Sequence, residues 1–279
     1  MLRFLILLGF SFLFMHLHVT GSISKYINMK YSYISYITIY VMFFLTFVQL
    51  IIYVKGDKKT SEDDCGHGCD HHHVRKGWKE YIFYPVLIFP IISVFFIPIA
   101  TLDSNIVKAK GFHFDVYNDK DTSAIHQFLQ PDSSIYYGQE GYDEYMDKAK
   151  KKFVNNKDKV VLDDKDFLIG METIYKFPGY FDDKTIQVKG FTYNEKELES
   201  NQIFLFRFGI IHCVADSGVF GMLVQFPKDI HFKNDEWINV EGKLSNQYYQ
   251  PFKKTIPVLE VTKWNTIPKP EDPYVYRTY

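Results

Sequence analysis

Two hydrophobic patterns divide the chain. Its front carries long uncharged runs, and its rear carries helical stripes and period-two alternation. The run Tyr81–Leu102 is long enough to cross a hydrocarbon core of ~30 Å as a helix, which takes roughly 20 apolar residues. The run Ile34–Val54 is uncharged and flanked by Tyr33, Tyr36 and Tyr53, whose rings suit the headgroup boundary. The first run, Phe4–Val19, follows a single Arg3 and fits either a signal-peptide core, with small residues near Ser22, or a retained span. His16 and His18 at its end, and the apolar segment that soon follows, argue for retention. The pattern therefore predicts a membrane region over 1–102, with spans near 4–19, 34–54 and 81–102 joined by a loop at 55–80. Pro85, Pro90 and Pro98 in the third run either sit as ordinary membrane-helix prolines or mark a face that meets a partner.

Beyond Leu102 the pattern becomes that of a water-soluble α+β domain. Tyr142, Met146, Ala149 and Phe153 recur at helical spacing, and Phe167, Leu168, Met171, Ile174 and Tyr175 form a second stripe. Asp163 or Asp164 can cap that second helix, and Pro178-Gly179 ends it. Residues 103–182 thus read as a helical connecting segment. Five strand-like stretches follow within 183–279: Thr185–Tyr193, Ile203–Val214, Val219–Phe226, Glu236–Leu244 and Thr255–Trp264. Gly190 and Gly242 lie inside strands, where glycine marks a bulge or a sharp bend. Five short strands with two such bends predict a small five-stranded OB-like β-barrel, with a three- or four-stranded sheet under covering helices as the alternative.

Charge adds an orientation and removes one class of function. A net charge of −1 gives no basic face for nucleic acid. Three cysteines, two of them close neighbours, do not make a disulfide framework. The loop at 55–80 carries Lys55, Lys58, Lys59, Arg75, Lys76 and Lys79, whereas the 20–33 loop holds only Lys25 and Lys30. The more basic loop is expected in the cytoplasm, which places the N-terminus inside and the C-terminal domain outside the cell membrane. The same loop holds Cys65, His67, Cys69, His71, His72 and His73, the thiolate and imidazole ligands that bind zinc and other late first-row transition metals. Gly66 and Gly68 let the backbone turn tightly enough for such ligands to converge, and a reducing cytoplasm keeps the thiols free. The bland alternative is a solvated loop that binds metal incidentally.

Within the strand region, Arg207, His212, Cys213 and Asp216 form a candidate ligand or structural polar site. A cysteine beside a histidine can supply a nucleophile and its base, but neighbouring strand residues point to opposite faces. An Arg207–Asp216 ion pair and a buried, unreactive Cys213 are the plainer expectation, and no residue is assigned a catalytic role.

The segments His16–Tyr31, the Cys/His-rich loop, Phe96–Phe112, Phe167–Gly179, Phe206–Pro227 and Asp272–Arg277 together resemble the YcgQ-like family of bacterial membrane proteins. These are proposed permease subunits whose C-terminal domain is of the DUF1980 type. The resemblance covers nearly the whole chain. It implies an uncleaved first span and a multi-span permease subunit as partner, and brings no established substrate or catalytic residue. Family members often carry adjacent cysteines where this chain has His212-Cys213, so a paired thiol is not required there. The expected function is a non-enzymatic accessory subunit of a membrane transport complex with a metal-binding loop. The alternatives are a metal-responsive or metal-delivering membrane protein and an outer-surface enzyme using His212, Cys213 and Asp216. None of the runs contains Asp, Glu, Lys or Arg of the kind that marks an ion route, so the chain reads as a helper rather than a conduit.

Overall fold

The computed structural model describes residues 1–57, 78–97, 102–110, 138–154, 158–182 and 184–277. The chain divides into two compact units, Met1–Thr101 and Leu102–Tyr279.

In the first unit α1 (Leu2–Val19) packs against both α2 (Ser32–Asp57) and α3 (Trp78–Phe96). Leu13, Leu17 and Ile23 form a small core against which Phe14, Tyr26, Ile27, Ile91 and Val94 close. The α1–α2 connection is ordered by two 3-10 turns, the second capped by the Asn28 side chain accepting from the Lys30 N–H. His18 Nε2 lies 2.7 Å from Ser35 Oγ, which itself donates to the Ser32 carbonyl, so the imidazole N–H is the donor that ties α1 to α2. Two segments, Leu2–Val19 and Met29–Lys55, are helical, long and apolar enough to cross a membrane. The third run is described as a helix to Phe96, with an apolar part, Ile82–Phe96, shorter than the other two, and residues 98–101 of the expected span lie outside the described residues. Ile97 precedes Pro98, and the ring of a proline disfavours the α conformation in the residue before it.

The second unit opens with the short helix α4 (Ser104–Lys110), whose first residue is held by Asp235: Ser104 N–H and Oγ–H donate to the two carboxylate oxygens. Helix α5 (Gly138–Val154) buries Met146, Ala149 and Phe153 as the stripe predicts. Helix α6 (Phe167–Lys176) buries Phe167, Leu168, Met171, Ile174 and Tyr175. The segment 103–182 is not wholly helical, however. Between α5 and α6 lies the strand β1 (Lys159–Leu162), which joins the sheet beside β2 in parallel.

The sheet has seven strands: β1, β2 (Thr185–Tyr193), β3 (Gln202–Ile210), β4 (Gly218–Gln225), β5 (Trp237–Tyr249), β6 (Lys254–Thr266) and β7 (Tyr274–Tyr276). Their order is β1-β2-β5-β6-β4-β3-β7, and an added β2–β3 pairing makes the five middle strands return on themselves as a ring. Four of the ring's junctions are antiparallel, and β4–β6 is parallel. These five strands are the five stretches that alternation picks out. The second ends earlier than expected, at Ile210, so that His212 and Cys213 fall in the following turn. The two expected bends carry glycine because backbone crowds them. A Cβ would lie 2.6 Å from the Phe206 carbonyl oxygen at Gly190, and 2.2 Å from that of Glu260 at Gly242, beside a register shift. All of β3 is buried, its polar residues Gln202 and Arg207 included.

Candidate functional site

Arg207 sits in the middle of β3 with its side chain 0% exposed. A buried guanidinium must be paired and hydrogen-bonded, and here three elements serve it. Nη1 donates to Asp164, in the turn before α6, and Nη2 donates to the Tyr274 carbonyl on β7 at 3.1 Å. The plane lies 5.6 Å from the Phe167 ring and 5.4 Å from the Trp237 ring, within cation–π range. Lys189 also reaches Asp164, at 2.9 Å. Partial burial pushes the Asp164 carboxyl pKa up, but the hydrogen bonds and charges of Arg207 and Lys189 outweigh it and hold the value below the usual carboxylate range.

The expected Arg207–Asp216 pair is therefore not formed. Asp216 closes the β3–β4 turn instead. Its carboxylate accepts the His212 N–H at 3.0 and 3.1 Å, the Cys213 N–H at 2.9 Å, and His212 Nδ1 at 2.7 Å. A carboxylate accepts only, so Nδ1 is the protonated nitrogen. Cys213 is a free, half-buried thiol whose backbone is held by the same carboxylate. His212, Cys213 and Asp216 are thus brought together, but as a turn in which the His212 ring is committed to Asp216. Arg207 belongs to a different cluster.

Neither Asp163 nor Asp164 caps α6, whose N-cap is Asp166 with no side-chain cap hydrogen bond. Asp163 accepts the Lys165 and Asp166 N–H groups of the preceding turn, and Asp164 meets Arg207. A second buried pair is absent from the sequence reading: Arg277 Nη2 donates to Glu172 Oε2 at 2.7 Å, with the two side chains 1% and 9% exposed. Its one sequence signal was Arg277 closing the DPYVYR motif. The six candidate metal ligands Cys65, His67, Cys69, His71, His72 and His73 lie outside the described residues. Among the described residues, no three His, Cys, Asp or Glu side chains converge to hold a metal ion.

Two helices long and apolar enough to cross a membrane thus precede a strand-rich domain whose polar clusters brace the fold. The chain belongs to the DUF1980 family: residues 2–113 match the DUF1980 N-terminal domain and residues 136–277 the DUF1980 C-terminal domain. It is 50% identical over 286 residues to the UPF0703 protein YcgQ of Bacillus subtilis (strain 168), covering all of both chains. It is 37% identical, again over the whole of both, to a Streptococcus mutans protein named "Putative two-component membrane permease complex subunit".

Proposed function

We propose that the chain is a non-enzymatic accessory subunit of a bacterial membrane transport complex, paired with a multi-span permease subunit. The observation that carries this is the full-length likeness to a protein named as a permease complex subunit. The chain's own apolar runs, free of Asp, Glu, Lys and Arg, support a helper rather than a conduit. The engagement of Asp216 by the turn backbone and the His212 ring supports a structural rather than catalytic role for that cluster.

In this reading α3 and the residues after it form a third span, loop 55–80 and the N-terminus face the cytoplasm, and the C-terminal domain lies on the outer side. The excess of Lys and Arg in that loop supports the orientation. The five-strand ring is an OB-like barrel, a reading supported by the closed cycle of pairings and the single parallel junction between β4 and β6. Cys65, His67, Cys69 and His71–His73 bind zinc or another late first-row metal and tune the complex, a reading supported by the density of soft and borderline ligands.

Gentle purification from native membranes, followed by identification of bound polypeptide and metal, tests both halves. We expect a polytopic membrane protein to co-purify. We also expect a metal that disappears when Cys65 and Cys69 become serine and His71, His72 and His73 become alanine. A lone monomer in mild detergent overturns the accessory role. A metal content indifferent to those substitutions overturns the metal-binding loop.

A further inference from the structure

The chain enters the strand-rich unit at Leu102, and the residues that follow are fastened to it at two places. The Leu102 N–H donates to the Tyr274 hydroxyl on β7 at 3.0 Å. Two residues on, Ser104 donates from its N–H at 2.9 Å and from its hydroxyl at 2.5 Å to the two carboxylate oxygens of Asp235, in the turn before β5. Ser104 is 5% and Val107 0% exposed, and Leu102 and Ile106 pack on the same core. Residues 102–110 therefore fold as part of this unit, although they fall within the stretch that matches the DUF1980 N-terminal domain.

Asp235 takes a strained backbone to make this contact. Its φ of 66° is left-handed, a conformation uncommon outside glycine, although aspartate visits it more readily than most residues. Such a residue persists where the surrounding contacts over-determine it. Its N–H donates to the Thr192 carbonyl at 2.9 Å, so the turn is rooted on β2 while the carboxylate meets Ser104. At the other anchor Tyr274 serves twice. Its hydroxyl accepts from Leu102, and its carbonyl accepts from Arg207 Nη2 at 3.1 Å. The three-residue β7 pairs, among the described strands, with β3 alone. A displacement of the entering chain at Leu102 thus reaches the strand that helps to hold the buried guanidinium.

We propose that residues 102–110 are a latched strap, with Asp235 as the latch, whose release loosens β7 and its hold on Arg207 while the five-strand ring stays closed. The strap makes the point where the chain enters the domain a second support of the Arg207 cluster, beside Asp164. It stands independently of the accessory-subunit reading.

Hydrogen exchange of the full-length protein in detergent, read by mass spectrometry on peptic fragments, tests this. A seven-residue helix has no stability of its own in water, so protection of α4 in the parent chain reports its attachment. The Asp235→Gly variant removes the carboxylate and relieves the left-handed backbone at the same time. Exchange in 102–110 should then quicken at least about tenfold, the worth of hydrogen bonds to a charged group. Exchange in β7 should quicken with it, and exchange in β5 should not change. Asp235→Asn keeps a residue that tolerates the left-handed turn and one acceptor oxygen. Its exchange in 102–110 should fall between parent and glycine variant, and it gives the same order of segments if the glycine variant fails to fold. An α4 that exchanges in the parent chain like an unpacked helix overturns the proposal. So does exchange in 102–110 that both variants leave unmoved, or a β7 that stays protected when 102–110 opens. Equal quickening of 102–110 and β5 overturns it too, because that reports a weakened fold and not a latch.

Discussion

Arg207 and Asp164 bind each other across 43 positions of sequence, and both are more constrained than their neighbours suggest. The arginine is fully buried, whereas the Asp164 side chain is 55% exposed, so water still reaches one end of the pair. Because Arg207 and Lys189 hold the Asp164 pKa below its ordinary value, the pair stabilises the fold fully at any pH above the unfolded-state value near ~3.9. That contribution fades as pH falls through the lower folded-state value, when the carboxylate is protonated and the guanidinium is left buried without its counter-charge. The Asp164→Asn variant should therefore be less stable than the parent at neutral pH and lose less on acidification below about pH 4. Thermal unfolding of the full chain in detergent, followed from pH 7 to pH 3, measures both slopes. Parallel curves would remove Asp164 from the acid response. Sequence reading names Arg207 as structurally special, because a cation inside an apolar strand must be paired. It names the wrong partner, Asp216, since Asp164 looks like a helix cap until its carboxylate is seen accepting from Arg207.

At the scale of elements, α6 acts as a brace between the two edge strands. It follows β1, and its Glu172 meets Arg277 at the end of β7, while the Arg277 N–H also donates to the Ile210 carbonyl on β3. Removing one member of a buried ion pair leaves an uncompensated charge and costs about 3–5 kcal/mol, whereas replacing both by apolar groups of similar volume is close to neutral. Arg277→Met should accordingly lower the midpoint of chemical unfolding sharply, and adding Glu172→Met should recover most of the loss. If the double variant is as unstable as the single one, the pair acts through contacts other than its charge. The same elements mark where the sequence was legible. The five ring strands and the stripes of α5 and α6 are long enough for periodicity to register. β1 spans four residues and β7 three, too short for alternation to show, and both are strands only because β2 and β3 offer them edges to pair with. At the end of α3, apolar composition runs on to Leu102 while a proline at 98 disfavours the α conformation at Ile97, and residues 98–101 lie outside the described residues.

For the molecule as a whole, the consequence turns on whether the third run crosses the bilayer. The apolar part of α3, Ile82–Phe96, rises only about 22 Å at 1.5 Å per residue, short of a ~30 Å core. A crossing therefore needs Ile97–Leu102, the stretch that carries Pro98 and no charged residue. With three crossings, the basic Cys/His loop and the C-terminal domain lie on opposite sides of the membrane. With two, both lie on the same side. Epitope tags before Met1 and after Tyr279 separate these cases in cells whose outer surface is exposed to an added protease. The proposed topology predicts that the C-terminal tag is removed from intact cells and the N-terminal tag only after lysis. The same C-terminal cleavage should disappear if Val86 and Phe89 are replaced by lysine, because two charges at the middle of the third run would keep it from inserting. A C-terminal tag protected in intact cells of the parent chain would leave two spans and place the whole strand-rich domain in the cytoplasm.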